Sequence, residues 1–223
     1  PFLYDAPYKV DTDFSFISNL ISAPYILVAR PDFPAKDFRE LMNVMRTQGE
    51  KINYASFGVG SVTHLATEML LSQVGARMTM VPYPGGAAPA VQAILAGQVD
   101  LMLTDVPSSL QHIRAGKLRA YGWTGVGLKS VLPEVPKIAE AGLPSFFFDP
   151  YVGLIGMKGI APDSLARLDA SVKKVLSVES MRKELQDRGM VVNYQPGSGL
   201  REESLNMARQ MKKVIDERKI SIK

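Results

Sequence analysis

Five short apolar segments between residues 25 and 123 alternate with stretches of helical periodicity, and this alternation constrains the fold more than any other feature. The intervening stretches repeat apolar residues at three- and four-residue spacing and are long enough for a helix. Crossovers of that size join parallel neighbours in a sheet. The sequence therefore predicts an α/β lobe with a parallel sheet over residues 27–120. Its strands are predicted at 25–30, 51–56, 78–81, 99–104 and 118–123.

The residues outside this lobe lack the regular alternation of strands and helices. They are predicted to form a second lobe from 1–26 and 121–223. They contain three helical stretches, at 164–178, 179–189 and 202–219. Only the segments 146–155 and 190–194 have the pattern of strands. Two strands give too little sheet to cover three helices, so this second lobe is short of core.

Composition excludes several kinds of site. The chain has no cysteine, which rules out disulfides, thiolate metal ligands and a cysteine nucleophile. His64 and His112 are too few for a histidine metal centre, and we expect no metal and no cofactor. The net charge of +4 arises in the last 61 residues, where both signs are interspersed along predicted helices. This pattern favours a solvated helical surface over a nucleic-acid interface.

The first candidate binding element is the glycine loop, residues 56–61, between a predicted strand and a helix. Ligands of open α/β sheets bind beyond the carboxyl ends of strands. Glycines allow backbone amides to approach a ligand, and the following helix start carries partial positive charge. The loop is thus predicted to bind a carboxylate or phosphate; the alternative is a tight turn in which the glycines only permit the backbone path. The candidate ligand-binding residues are Ser56, Phe57, Gly58, Gly60 and Ser61, and Ser61 is also predicted to be the N-cap of the helix that follows.

Two further loops follow strands at the same predicted edge. In residues 81–87, Tyr83 can present a ring and a hydroxyl, and the Gly85 and Gly86 amides can donate hydrogen bonds. A packed Pro/Gly turn is the alternative for this loop. Asp105 ends a predicted strand before a helix, where it either caps the helix or accepts hydrogen bonds from a ligand.

His64 lies one helical turn after the glycine loop and is a further candidate ligand-binding residue. Together with Ser61 and Asp105 it has the composition of a catalytic triad. However, the chain contains no Gly-x-Ser-x-Gly nucleophile elbow, and Ser61 and His64 are three apart on one helix. No catalytic residue is predicted, and the alternative role for His64 is to brace the loop by a hydrogen bond.

The sequence contains several distinctive blocks, at residues 53–61, 81–90, 97–102, 132–136 and 139–144. In this order, and over essentially the whole chain, they resemble the tripartite tricarboxylate transporter receptors, the Bug family. The resemblance implies a periplasmic solute-binding receptor with the two-lobe type II periplasmic binding-protein fold. Such a receptor is a monomer, closes on a small carboxylate and passes it to the membrane components of the transporter, without catalysis. The family's ligand loops map onto residues 56–61, 83–86 and Asp105.

The chain also departs from the family pattern. Family members usually begin with a further segment that carries the first strand of lobe one and a Pro-Gly-Gly-rich ligand loop, whereas this chain starts near where that segment ends. The resemblance therefore implies a complete middle lobe and a partial other lobe, whose exposed edges permit self-association. A ligand-sensing regulatory module of the same fold is the alternative function. An enzymatic transferase or hydrolase would need an activated nucleophile, which the sequence does not offer.

Overall fold

The computed structural model describes residues 2–222, and it arranges the chain as two β-sheets with helices packed on them. The strands are β1 Phe14–Ser22, β2 Tyr25–Ala29, β3 Asn53–Ser56, β4 Thr79–Pro82, β5 Leu101–Asp105, β6 Arg119–Trp123, β7 Tyr151–Met157 and β8 Val191–Pro196. The helices are α1 Phe38–Gln48, α2 Val62–Val74, α3 Ala87–Leu95, α4 Val106–Arg114, α5 Pro162–Leu176, α6 Glu179–Asp187 and α7 Gly197–Arg218. Within these described residues, no helix combines the length and the apolar character that crossing a membrane requires.

The larger sheet contains five strands in the order β4-β3-β5-β2-β6. Strand β3 pairs in parallel with β4 and β5, as predicted. Strand β2 pairs antiparallel with β5 and with β6, so the prediction of a wholly parallel sheet was wrong for this strand. The chain enters β2 directly from β1, after only Ala23 and Pro24, and this entry sets its direction. An apolar run in the sequence predicts that a strand is buried, and all of β2 is buried. It does not predict whether the strand runs parallel or antiparallel to its neighbours.

Both faces of the five-stranded sheet are covered by helices. Leu27 and Ala29 of β2 point into the core beneath α1 and α2. Ile26 and Val28 point into the core beneath α3 and α4. This alternation is the two-residue period of a strand with helices on each side. The sheet spans residues 25–123; the division of the chain into lobes at 27 and 120 stays a prediction.

The smaller sheet contains three antiparallel strands in the order β7-β1-β8. Its central strand, β1, was missed in the sequence analysis because polar residues interrupt its apolar pattern. Ser18, Asn19 and Ser22 are nonetheless fully buried. The predicted strand at 146–155 begins only at Tyr151, since the preceding segment packs its aromatic rings elsewhere: Phe148 lies edge-on to Tyr25, with 6.2 Å between ring centroids.

Asp149 lies just before β7 and is hydrogen-bonded to the end of β1, where the chain passes from the smaller sheet to the larger one. Its Oδ2 accepts a hydrogen bond from Ser22 Oγ at 2.8 Å, and Ser22 Oγ accepts another from Asn193 Nδ2 at 3.0 Å. A Cβ at Gly125 would overlap Asp149 Oδ1, so only glycine leaves room for the carboxylate. Burial raises the pKa of Asp149. Burial, and then the charge of Asp149, also raises the pKa of Glu203.

Raising the pH through the pKa of Asp149 is expected to lower the free energy of unfolding. Because the folded-state pKa lies above the unfolded value, the folded protein holds the proton more tightly, and the stabilisation present at low pH is lost as the pH rises through the folded-state pKa. Asp149→Asn removes this titration but keeps an oxygen that can accept from Ser22. Urea midpoints between about pH 4 and 7 should therefore vary less in the variant than in the wild type. An equally steep pH dependence in both proteins would assign the effect to another group.

Candidate functional site

The three candidate loops lie together at one edge of the five-stranded sheet. Ser56 at the end of β3 is in register with Pro82 at the end of β4. The Tyr83 amide donates a hydrogen bond to the Ser56 carbonyl at 2.7 Å, which joins the first two loops directly. At the same edge, Asp105 at the end of β5 is paired with Tyr25 at the start of β2. The sequence-based expectation that these loops would be neighbours is thus met by the fold.

Most backbone amides of the glycine loop already donate hydrogen bonds within the protein. Ser56 Oγ, Thr63 Oγ1 and His64 Nδ1 all lie within reach of the loop backbone and accept hydrogen bonds from it. The sequence analysis expected the backbone amides of this loop to be free for a ligand. For four residues this is wrong, because their amides donate to acceptors within the loop or in the first turn of α2. These amides are those of Phe57 (2.9 Å to Thr63), Gly58 (3.1 Å to Ser56), Gly60 (3.0 Å to His64) and Ser61 (3.1 Å to the Gly58 carbonyl).

What the glycine loop can still offer a ligand lies at the start of α2. Ser61 is the N-cap, as predicted, and its Oγ accepts from the His64 amide at 3.3 Å. The amide of Val62, the first residue of the helix, has no intrahelical partner, and Val62 is exposed; Thr63 is fully buried, so its amide is out of reach of a ligand. The space beside Gly58 is open, whereas a Cβ at Gly60 would overlap Leu3. The loop is therefore accessible at its first glycine and covered at its second.

His64 has a structural role in this arrangement. Its side chain is buried, and its Nδ1 accepts the hydrogen bond from Gly60, so Nε2 carries the proton of the neutral ring. Burial lowers the pKa of His64, which keeps the ring neutral at neutral pH. Its ring stacks on Tyr54 with 6.4 Å between centroids. The bracing role is thus observed, while a direct ligand contact of His64 stays a prediction.

The second loop, residues 83–86, presents freer donors than the first. Its turn is closed by a hydrogen bond from the Gly86 amide to the Tyr83 carbonyl at 3.0 Å. Gly86 precedes α3 with a φ of 89° and provides no side-chain cap for the helix. Pro89 has no amide proton, so residues 87 and 88 carry the unpaired amides of the first turn. The space beside Gly86 is open, and Gly85 packs against Pro89.

Asp105 and Tyr25 complete the edge. Asp105 Oδ1 accepts from the Ser108 amide at 2.9 Å and caps α4, which is one of the two roles expected for it. Burial, and then the charge of Asp105, raises the pKa of Tyr25 to about 12. Tyr25 was missed by the sequence analysis because the first residue of a strand reaches this edge only when the strand runs antiparallel. Ser61, His64 and Asp105, which have the composition of a catalytic triad, have other roles here: Ser61 and Asp105 cap helices, and His64 braces the glycine loop. No hydrogen bond between their side chains connects them.

Helices α2, α3 and α4 all begin at this edge. The Asp105 carboxylate offsets the dipole of α4, whereas α2 has only the neutral cap Ser61 and α3 has no side-chain cap. The positive ends of the α2 and α3 dipoles therefore favour an anion over a cation. Within residues 2–222, no group of three acidic or histidine side chains is arranged to hold a metal ion. The geometry can therefore bind a small anion through amides and hydroxyls.

Comparison with known proteins gives a family and close structural neighbours. The sequence profile of the tripartite tricarboxylate transporter family receptor matches residues 1–220. A protein encoded in the tcbD-tcbE intergenic region of Pseudomonas sp. strain P51 is 35% identical over 185 residues, which cover 82% of this chain and 55% of that protein. MatC of Rhodopseudomonas palustris, solved with bound malate, is 30% identical with a TM-score of 0.83, over 96% of this chain and 74% of MatC.

The periplasmic binding protein BugD superposes equally well, with 28% identity and a TM-score of 0.85, over 99% of this chain and 75% of BugD. These similarities confirm the expected α/β fold of the type II periplasmic binding proteins. The chain spans a little over half the length of the curated relatives that it matches first.

Proposed function

The chain belongs to the tripartite tricarboxylate transporter family of receptors, and from this premise we propose that it binds a small carboxylate at the carboxyl edge of the five-stranded sheet. The bound solute is passed to the membrane components of a tripartite tricarboxylate-type transporter, and the protein works in the periplasm. It acts by binding, without a catalytic step. MatC, which holds malate, supports a carboxylate as the class of solute.

The observation that carries this proposal is the set of helix starts at one edge, of which that of α3 has no side-chain cap. The loops that lead into α2 and α3 are joined by the hydrogen bond from the Tyr83 amide to the Ser56 carbonyl. A carboxylate placed between them satisfies exposed amides at residues 62, 87 and 88 and lies at the positive end of both dipoles. The hydroxyls of Tyr83, Ser61 and Tyr25 are within the same edge and set the orientation of the solute.

Ala88→Glu tests the site without removing any part of it. Ala88 is exposed in the first turn of α3, where a carboxylate favours the helix dipole. The variant should therefore fold at least as stably as the wild type while its charge repels a bound carboxylate. We expect malate or adipate to raise the melting temperature of the wild type and to bind Ala88→Glu at least tenfold more weakly, about 1.4 kcal/mol. Isothermal titration calorimetry measures the difference.

Two controls separate charge from size and from general electrostatics. Ala88→Gln has the same length but no charge and should keep most of the affinity. Ser164→Glu adds the same charge to the first turn of α5, outside the site, and should change nothing. Equal affinities in the wild type and Ala88→Glu would contradict the placement of the carboxylate. Failure of every carboxylate tested to bind the wild type, monocarboxylates as well as di- and tricarboxylates, would contradict the proposed function itself.

A further inference from the structure

A cavity of about 570 Å³ adjoins the glycine loop, with Gly60 forming part of its wall. Opposite Gly60, the cavity is lined by one face of α7, with Met207, Ala208 and Met211, and by Leu65 of α2. Leu65 and Met211 belong to the main core, and Met207 packs against it. The interior face of the cavity is therefore a continuation of the apolar core, and its wall at Gly60 lies two residues along the chain from Val62, the first residue of α2.

The polar groups that line this cavity are largely satisfied by one another. The Tyr151 hydroxyl donates to Ser204 Oγ at 2.8 Å, which leaves the tyrosine ring as its contribution to the wall. The charged side chains of Lys9 and Asp11 belong to the N-terminal segment that forms the rim. Leu3 of the same segment lies against Gly60, so an apolar group is already accommodated next to the loop.

A second cavity of similar size has the opposite character. Its volume is about 580 Å³, and its walls include the carboxylates of Asp149, Glu202 and Glu203. Arg209 is the one basic residue in this lining, so negative side chains outnumber positive ones by three to one. This balance disfavours an anionic solute, and burial raises the pKa of Asp149 and Glu203. The cavity beside the glycine loop is thus the better one for the body of a bound carboxylate.

We propose that the apolar cavity beside Gly60 holds the hydrocarbon tail of the solute, so that this receptor prefers a carboxylate with an aliphatic or aromatic body to a small hydroxylated di- or tricarboxylate. The inference rests on the proposed function, which supplies the site of the carboxylate head. A cavity of this volume is within the range that encloses small organic ligands, and it accommodates a phenyl ring or a chain of several methylenes. Burial of each methylene contributes about fourfold in affinity.

The test is a calorimetric titration of the intact chain with butanoate, hexanoate, octanoate and phenylacetate, alongside malate and citrate. Affinity should rise about fourfold for each added methylene up to octanoate, and octanoate and phenylacetate should bind more tightly than malate. Octanol, with the same tail and no charge, should bind at least tenfold more weakly than octanoate. Tight binding of malate or citrate with none of octanoate would overturn the tail site and leave the proposed function standing. Octanol binding as tightly as octanoate would instead remove the carboxylate site.

Filling the cavity locates the tail. Ala208→Phe places a ring in the cavity and should weaken octanoate at least tenfold while leaving malate unchanged. Ala166→Phe makes the same replacement on the exposed surface of α5 and should alter neither. Where circular dichroism shows that Ala208→Phe is unfolded, Ala208→Leu provides the test with a several-fold expected loss. Octanoate affinity that is unchanged in a folded Ala208 variant would place the tail outside the cavity and overturn the inference.

Discussion

Replacing Gly197 with alanine is expected to reduce the free energy of unfolding by about 3 kcal/mol, at the upper end of the cost of overpacking. Gly197 is the first residue of α7, and its Cα faces the backbone of β1. An added Cβ would overlap the Phe16 carbonyl oxygen and come within 2.8 Å of the Phe16 carbonyl carbon. Because these are backbone atoms of a central strand, neither a rotamer change nor a small side-chain shift can relieve the overlap. The helix has to move away from the sheet.

The control for this variant lies two residues further along the same helix. A Cβ at Gly199 would meet only the side chain of Gln195, at 2.6 Å from its Oε1 and 3.0 Å from its Cβ. The amide can rotate away, and the contact with the Gln195 Cβ needs only a small shift. Gly199→Ala is therefore expected to lie within about 1 kcal/mol of the wild type, helped by the better helix propensity of alanine. Urea unfolding monitored by circular dichroism measures both variants. Equal losses at the two positions would show that helix propensity, and not the contact with β1, governs this end of α7.

Removing the carboxylate of Glu68 is expected to cost about 3 kcal/mol, because it leaves a partner charge without compensation in a largely buried place. Glu68 Oε1 accepts from the Tyr54 hydroxyl at 2.7 Å, and its Oε2 accepts from Arg218 Nε at 2.5 Å. The exposed fractions of the Arg218 and Glu68 side chains are only 16% and 10%. Burial, followed by the charge of Glu68, raises the pKa of Tyr54 well above its usual value, so the phenol stays protonated and donates.

The matched control for Glu68→Ala is Asp216→Ala on α7. Asp216 also accepts from a cation, Lys212, but both side chains are more than half exposed. Such a pair contributes about 0.5 kcal/mol or less. Chemical denaturation should therefore separate the two variants by more than 2 kcal/mol. A loss at Glu68 as small as that at Asp216 would mean that water reaches Arg218 readily and that α7 is held to α2 by apolar contacts alone. The double replacement Glu68→Leu with Arg218→Leu should recover most of the lost stability, since neither charge is then left alone.

Local rules were sufficient for most helices and for the positions of the candidate loops. Ser61 was predicted as the N-cap of α2 from residue type and spacing, and the structure confirms it. These features depend on a few neighbouring residues, which is why the sequence predicts them. The direction of β2 and the existence of β1 depend on partners far along the chain. Buried Asn19, for example, is acceptable only because Glu203 accepts from its amide at 3.0 Å.

The candidate site shows the same division. Its location at the strand ends followed from the pattern of strands and glycines. Which amides remain available did not, since that depends on where Thr63 and His64 point in three dimensions. As a result, more backbone amides of the glycine loop are hydrogen-bonded within the loop than expected, and the unpaired amides lie mainly in the loop at Gly86. The presence of Tyr25 at the site could not be predicted before the direction of its strand was known.

The position of β2 between β5 and β6 has a consequence for the order in which the five-stranded sheet can form during synthesis. This strand is made before both of its neighbours, since β5 follows it by about 75 residues and β6 by about 95. Both edges of β2 are unpaired until β5 has left the ribosome, and the edge that faces β6 stays unpaired until residue 123 has followed. Pairing over such sequence separations slows folding. Nascent chains of this receptor should therefore depend on chaperones until the last strand of the sheet has emerged.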